Sequence, residues 1–458
     1  MEGYRSERTP GFKLFLTIVI GLVLTIPLFS VWLLVYDRQS QSQQATASIT
    51  QGWGAAQALN GPVLVIPYKA TATETVVENG QSVTRSRDVI RELTLAPEAI
   101  DISTEVAPQI RKRSIYEAVV YDARMSGKAR FAFPPDLARS GVTPQQMDMS
   151  RAELRFGLSD PRGLGANPRV SADGVPLRLQ PGGGSNGGRG FFAWVDVNGL
   201  TTKPVAVDFA FDFRGNGSLS LNPEAGDTRW AVHSSWPSPS FAGGFLPLER
   251  HVGTKGFDAT YRIGNLALGR SLVSTAEPDA SAAPDRLDAT PAVDANPQSA
   301  MINLIQPVDP YDQVNRATKY GFLFIGFTFL ALLMFDVIGG VRVSAVEYLL
   351  MGAALVLFFV LLLALAEVIG FTAAYVLASA SIAGLNTAYS AAVLGTWRRA
   401  AFIGGLLAGL YAVLYILLSL EAYSLLIGAL LLFAALAGVM YATRRIDWSA
   451  ARGNSPAA

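Results

Sequence analysis

The sequence predicts a multi-pass α-helical membrane protein that carries a large β-rich, sandwich-like extracytoplasmic domain, and three observations lead there. Residues 14–36 form one apolar run longer than the roughly 20 residues a helix needs to cross a bilayer. From Tyr320 onward charge almost disappears: only Asp336, Arg342, Glu347 and Glu367 interrupt the chain before Trp397, and only Glu421 lies between Ala400 and Thr443. Between these regions, residues 37–318 are polar and change to a period-two alternation. Composition agrees. Half of the residues are hydrophobic, 16% are charged and the mean hydropathy is +0.30, outside the range of ordinary soluble domains.

The first element, residues 1–36, reads as a cytoplasmic N-terminus and one transmembrane helix. Ala45-Thr46-Ala47 has the look of a signal-peptidase site, but it lies well beyond the end of an apolar run that is already too long, so an uncleaved anchor is expected. A polar, Gln- and Ser-rich helix is expected to continue outward over 37–57. Beyond it comes the β-rich domain. Val205, Val207, Phe209, Phe211 and Phe213 alternate with Ala206, Asp208, Ala210 and Asp212, and Leu154, Phe156 and Leu158 alternate with Glu153, Arg155 and Gly157. Strands are also expected over 63–68, 114–121, 128–133 and 190–197, at the spacing of a sandwich. Helix is expected to be a minor component, over 135–147. Two stretches read as loops: 181–190, nearly all glycine, and 271–300, an Ala/Pro/Asp/Ser insertion with too few large apolar residues to fold alone.

Residues 319–443 then form a bundle of five crossings, near 320–337, 348–366, 372–394, 400–420 and 423–442, followed by a tail at 444–458. Basic residues orient it. Arg5, Arg8 and Lys13 precede the first span, and Arg342, Arg398, Arg399, Arg444, Arg445 and Arg452 fall on the same side if all six spans cross. Both termini are therefore expected in the cytoplasm and the large domain outside. Arg316 and Lys319 oppose the rule, but large domains translocate largely regardless of charge.

A net charge of +1, with no basic stripe, leaves nucleic-acid binding without an electrostatic basis. No cysteine and only two histidines remove disulfides, thiol chemistry and the usual zinc sets, so no metal and no cofactor is expected. No P-loop or dinucleotide fingerprint occurs. Gly183-Gly184-Ser185-Asn186-Gly187 formally matches G-x-S-x-G, with Asp212 and His233 or His251 following in the order of a hydrolase triad. A nucleophile elbow needs a buried strand and a helix around its serine, however, and Ser185 sits in a glycine tract. No catalytic residue is assigned.

Ionisable groups inside a membrane are costly, which singles out Asp336, Glu347 and Glu367. Each is expected at a span's end, where water or headgroups hydrate it. Asn386 lies deeper, among Ser379, Ser381, Gly384, Thr387 and Ser390. Gly405 and Gly409 have the spacing of a helix-packing pair. In the outer domain, the loop holding Trp236, Pro237, Pro239, Phe241 and Phe245 is the candidate binding surface, because aromatics and prolines offer apolar area with little freedom to lose. The alternative is a rigid corner packed on the domain's own core.

Several strings resemble the CreD family of bacterial inner-membrane proteins. Gly61-Pro62-Val63-Leu64-Val65-Ile66-Pro67 is similar to that family's GPxLxIP, Ile115-Tyr116-Glu117-Ala118-Val119-Val120-Tyr121 to its IYxAxVY, and Ser235-Trp236-Pro237-Ser238-Pro239-Ser240-Phe241 with Phe245-Leu246-Pro247 to its WPxPSFxGxFLP. Arg316-Ala317-Thr318-Lys319-Tyr320, Glu347-Tyr348-Leu349-Leu350, residues 361–367 and Ile446-Asp447-Trp448 extend the likeness across residues 12–450. Phe335-Asp336 stands where the family commonly has Phe-Glu. Glu367-Val368-Ile369-Gly370-Phe371 stands where it often has Glu-His-x-Gly-Phe, so this chain lacks the histidine. The resemblance implies an inner-membrane protein of cell-envelope integrity and envelope-stress response, including β-lactam stress, under two-component control. It implies no catalytic residues. The expected function is non-enzymatic: a periplasmic domain that binds an envelope component or protein partner, on an anchor embedded in the lipid bilayer. A transporter or lipid-handling protein using Glu367 and Asn386 is the second reading, and a hydrolase the third. Oligomeric state is not legible.

Overall fold

The structure, a computed structural model, describes residues 10–78, 81–185, 188–275, 298–305, 310–337, 343–419 and 424–444. Arg5, Arg8, Arg342, Glu421, Arg445 and Arg452, on which the topology expectation leans, lie outside the described residues, as do Asn186, 276–297 and 446–448. The chain divides into two compact units, Met1–Gln43 with Val308–Ala458, and Gln44–Pro307. Helix α1 (Pro10–Gln51) contains both the first apolar run and the polar continuation expected after it. Pro27 lies inside it without ending it, as lipid-embedded helices tolerate. Thr17, Ile20, Leu24, Val31 and Val35 form its buried stripe, at helical spacing, while Phe15, Leu22, Ile26 and Phe29 face outward.

The second unit is strand-rich. Its strands are β1 (Gln57–Glu78), β2 (Gln81–Leu95), β3 (Ala99–Arg113), β4 (Tyr116–Phe131), β5 (Ala152–Leu158), β6 (Arg169–Ala172), β7 (Val175–Pro176), β8 (Leu179–Pro181) and β9 (Gly190–Val195). They continue as β10 (Val205–Asn216), β11 (Ser218–Asn222), β12 (Asp227–Ser234), β13 (Pro239–Gly243), β14 (Glu249–Gly253), β15 (Gly256–Gly264), β16 (Val273–Ser274) and β17 (Ala300–Leu304), with a single helical turn, α2 (Asn265–Leu268), after β15. Among the described residues one sheet has nine strands, in the order β13-β17-β11-β1-β5-β9-β8 with β2 paired to β1 and β16 to β2; the other has eight, β14-β15-β12-β3-β4-β10-β6-β7. One core draws on both. Leu64, Ile66, Leu93, Leu154 and Phe156 come from the first sheet, and Ile102, Tyr121, Phe131, Phe209, Phe213, Trp230 and Tyr261 from the second. Phe156 sets its ring edge-on to Phe209 at 5.4 Å, closing the space between them.

Alternation reports burial faithfully in β10, where Val205 to Phe213 bury every second residue. Three expectations change. The strands expected at 114–121 and 128–133 belong to one strand, β4, which runs through Gly127 without a break: Gly127 pairs with Phe209 of β10, whose ring lies across the space a side chain would fill. Ser114 is not in that strand but turns the β3–β4 hairpin, with φ 58°. Residues 135–147 form no α-helix. They make two short 3₁₀ turns, Leu137–Ser140 and Pro144–Gln146, separated by Gly141 in the left-handed region and by extended Thr143, so no i→i−4 ladder can run through.

The helical unit continues with α3 (Pro310–Lys319), α4 (Gly321–Val337), α5 (Ala345–Ile369), α6 (Phe371–Leu394), α7 (Trp397–Ser419) and α8 (Ser424–Thr443). Sequence reading did not anticipate α3, a short amphipathic helix that buries Tyr311, Val314, Ala317 and Thr318 and meets α4 at a 40° bend. Among the described residues, α1, α5, α6 and α7 are each long and apolar enough to cross a membrane, and α3 with α4 makes a fifth if the bent pair is one span. Helix α1 seats against the others through glycines: a side chain at Gly352 would meet Leu24, and one at Gly321 would meet Leu28.

Candidate functional site

Polar groups in the helical unit are held by partners brought from far along the chain. Lys13 Nζ of α1 donates to Asp336 Oδ1 at 2.7 Å and to the Asp336 carbonyl at 3.4 Å. A cation at that carbonyl also sits where the α4 dipole is negative. Asp336 was expected to be hydrated at a span's end; it is 5% exposed. The correction has a physical cause: α1 packs alongside and supplies an ammonium where water was expected. Glu347 closes a capping box, accepting from the backbone N–H of Ser344 at 2.6 Å, so it starts α5. Glu367 accepts from the hydroxyl of Tyr311 at 3.1 Å, tying the end of α5 to α3.

Asn386 and Ser390 share one face of α6 and are 1% and 0% exposed. Asn386 Nδ2 and Ser390 Oγ have no hydrogen-bond partner among the described residues. Thr387 donates to the Ala383 carbonyl and lies against Gly404, where any side chain would collide with it. Packing on α7 therefore runs through Ala400, Ile403, Gly404 and Leu407. Gly405 and Gly409, expected as the packing pair, have open space beside them among the described residues. They fall on the other side of the helix. The centre of the unit is filled by rings: Tyr411 lies 4.5 Å from Phe358 and 4.8 Å from Phe324, Phe358 is 5.6 Å from Tyr375, and the Tyr375 hydroxyl donates to the Tyr411 carbonyl at 2.6 Å.

In the strand-rich unit, the aromatics of the proline-rich loop turn inward. Trp236 is 9% exposed, and its indole N–H donates to the Ile305 carbonyl at 3.0 Å. Phe241 stands T-shaped to buried Phe257 with ring centroids 5.8 Å apart, and Phe245 packs partly on the core. Pro239 opens β13 opposite Leu304. Pro237, Leu246 and Leu248 are what the loop shows to solvent.

Nothing in the arrangement unites Ser185, Asp212 and the histidines. Ser185 is 1% exposed and sits against Gly61 and Gly157 of the nine-stranded sheet, in a turn where the Gly188 N–H donates to its carbonyl. Asp212 faces Arg124, and His233 Nδ1 lies 2.7 Å from Asp258, both on the other sheet; His251 is exposed on β14. Among the described residues no group of three or more His, Cys, Asp or Glu could hold a metal.

Sequence reasoning missed Lys13 and Tyr311 as partners, since it used the first only as a topology charge. It also missed Trp53, whose ring carries Arg111 and Arg214 at 4.6 Å each. No local signal could have shown that cluster.

The family model described as inner membrane protein CreD matches residues 9–449 of this chain. The inner membrane protein CreD of Escherichia coli (strain K12) is 31% identical over 433 residues, which cover 94% of this chain and 91% of that protein. With matches that run through both units, the chain belongs to the CreD family of inner membrane proteins.

Proposed function

We propose that this is a non-enzymatic inner-membrane protein of cell-envelope integrity and envelope-stress response. In this reading α8 crosses as a sixth span, both termini are cytoplasmic, and the two sheets are a sandwich-like periplasmic domain that binds an envelope component or a protein partner. The bundle is its anchor. The observation that supports this reading is the ring cluster of Phe324, Phe358, Tyr375 and Tyr411, buried side chains close-packed between α4, α5, α6 and α7 that a solute passing among these helices would have to part. The buried placement of Ser185, in a turn against a different sheet from the one that holds Asp212 and His233, argues in addition against the hydrolase.

A transporter remains the second reading because Asn386 and Ser390 keep polar atoms with no partner among the described residues of the same unit. Glu367→Gln separates the two. Glutamine keeps an acceptor for Tyr311, so an anchor tolerates it, whereas a proton-carrying route stops. The binding role is tested by in-cell crosslinking from single cysteines on the outer domain, for instance at exposed Thr201, in a chain with no cysteine of its own. Capture of a defined envelope or membrane partner supports the proposal. Failure of an impermeant thiol reagent to label Thr201→Cys before lysis, with labelling afterwards, overturns the topology.

A further inference from the structure

A groove of about 530 Å³ lies on the solvent face of the eight-stranded sheet, where β3, β4 and β10 run beside residues 162–166. That volume is in the range of small-ligand sites, roughly 300–1,000 Å³. Its lining includes three guanidinium groups, Arg124, Arg162 and Arg214, and three carboxylates, Glu105, Asp122 and Asp212. Strand register produces this pattern: Glu105 stands opposite Arg124, which stands opposite Asp212, and two residues along, on the same face, Asp122 stands opposite Arg214.

The charges are held to different degrees. Arg162 is fixed by Asp160 through two bonds of 2.8 Å, and the Asp160 side chain, only 5% exposed, also accepts from the Ala55 N–H at 3.0 Å. Arg214 is fixed on its face by Trp53 and on its edge by Asp122, which takes its Nε at 3.1 Å. Trp53 is itself anchored by its indole N–H on the Tyr121 carbonyl at 3.2 Å. The two terminal nitrogens of Arg214 have no hydrogen-bond partner among the described residues. Arg124, by contrast, is loosely placed, 3.5 Å from Asp212 and 4.0 Å from Glu105, beyond good hydrogen bonds and in solvent. Exposed pairs of that kind contribute about 0–1 kcal/mol and are easily exchanged. The floor is closely built: Leu164 bridges Phe213, and the Gly165 N–H donates to the Asp212 carbonyl at 2.7 Å.

The groove therefore offers pre-organised guanidinium groups at one end and under-occupied carboxylates at the other. A polyanion would meet the carboxylates, and a polycation the arginines. A ligand bearing one charge of each sign can pair with both ends, its ammonium exchanging with the loosely held Arg124 and its carboxylate taking the outer nitrogens of Arg214 while Asp122 keeps Nε. We propose that the groove binds a short peptide with a free carboxylate and a free ammonium group, the carboxylate on Arg214 and Arg162 and the ammonium on Glu105 and Asp212. This rests on the reading of the outer domain as a binding module and names its site and ligand class.

The test uses the full chain in lipid nanodiscs and three probes: trialanine, N-acetyl-trialanine and trialanine amide, titrated by calorimetry at one fixed ionic strength. Saturable binding of trialanine is expected, weakened about tenfold by blocking either end, a difference of about 1.4 kcal/mol. Asp212→Asn, at an exposed position, removes the penalty of acetylation but keeps that of amidation. Arg214→Gln does the reverse, and Arg162→Gln replaces it if Arg214→Gln disturbs the fold by circular dichroism. Equal binding of all three peptides, no saturable binding, or blocking effects unchanged in the variants overturns the proposal. If trialanine fails while crosslinking from elsewhere on the domain still captures a partner, the groove is wrong and the binding-module reading stands; if crosslinking also captures nothing, both fall.

Discussion

Lys13 and Asp336, 323 residues apart, form an ion pair of 2.7 Å that joins the first turn of α1 to the end of α4. The first helix and the C-terminal bundle are thus one unit through a charge as well as through apolar packing. Removing one partner leaves the other without a counter-charge. Asp336→Leu is expected to cost about 3 kcal/mol, the low end for a broken buried pair, because a quarter of the Lys13 side chain reaches solvent. Lys13→Met combined with Asp336→Leu should recover most of it. Thermal unfolding of the purified protein in detergent measures both, and a single variant as stable as the parent would refute the coupling.

Two adjacent glycines should behave differently. Gly404 faces Thr387 with no room for a methyl group, whereas Gly405 faces open space among the described residues. Gly404→Ala is expected to destabilise the bundle by about 1–3 kcal/mol through overpacking. Gly405→Ala should change it by less than about 0.5 kcal/mol. The comparison is made on the same melting curves; similar losses for both would mean α7 is rotated from the orientation described.

The proline-rich loop is tested by separating its buried from its exposed residues. Trp236→Ala should cost about 3–5 kcal/mol as a cavity mutation. Trp236→Phe loses chiefly the bond to the Ile305 carbonyl, about 1 kcal/mol. Leu248, 71% exposed, should tolerate alanine with little change in stability. If chemical denaturation instead finds Trp236→Ala harmless, the indole is not part of the core.

Acid sensitivity of the outer domain should carry the mark of Asp160. The Arg162 guanidinium, with the Ala55 and Arg162 N–H groups, holds its carboxyl down from 3.8 to about 2, against the opposing effect of burial. A depressed carboxylate stabilises the fold fully above its unfolded value. That contribution, about 2 kcal/mol, fades as pH falls from about 4 to about 2 and is absent below. Asp160→Asn should lower stability at neutral pH and flatten this part of the profile. An unchanged slope between pH 4 and 2 in the variant would show that another group is responsible.

Much of the architecture was legible because apolar pattern and solvent are directly linked. A strand such as β10, whose inward row is apolar throughout, announces itself by alternation, whereas β12 and β15 bury every second residue as regularly and were not anticipated. Strands β2 and β3 and most of β1 were missed; in β3 the inward row Ile100, Ile102, Thr104 and Val106 includes a threonine, which weakens the apolar alternation. Helix α3 was missed for a related reason. Its apolar side is only Tyr311, Val314, Ala317 and Thr318, too brief a signal beside Arg316 and Lys319.

By itself the sequence determined that this protein lives in a membrane, which residues must avoid water and which stretch is strand-rich, because burial of apolar surface depends on composition and period along the chain. Only the tertiary structure decided what most of the polar residues do. Asp336 became a counter-ion, Trp236 part of a core, and Arg162 and Arg214 walls of one groove, whereas the capping role of Glu347 was legible locally in the Ser344-x-x-Glu347 spacing. Partnership at a few ångströms between residues tens to hundreds of positions apart is set by how helices and strands pack, and no local pattern encodes it.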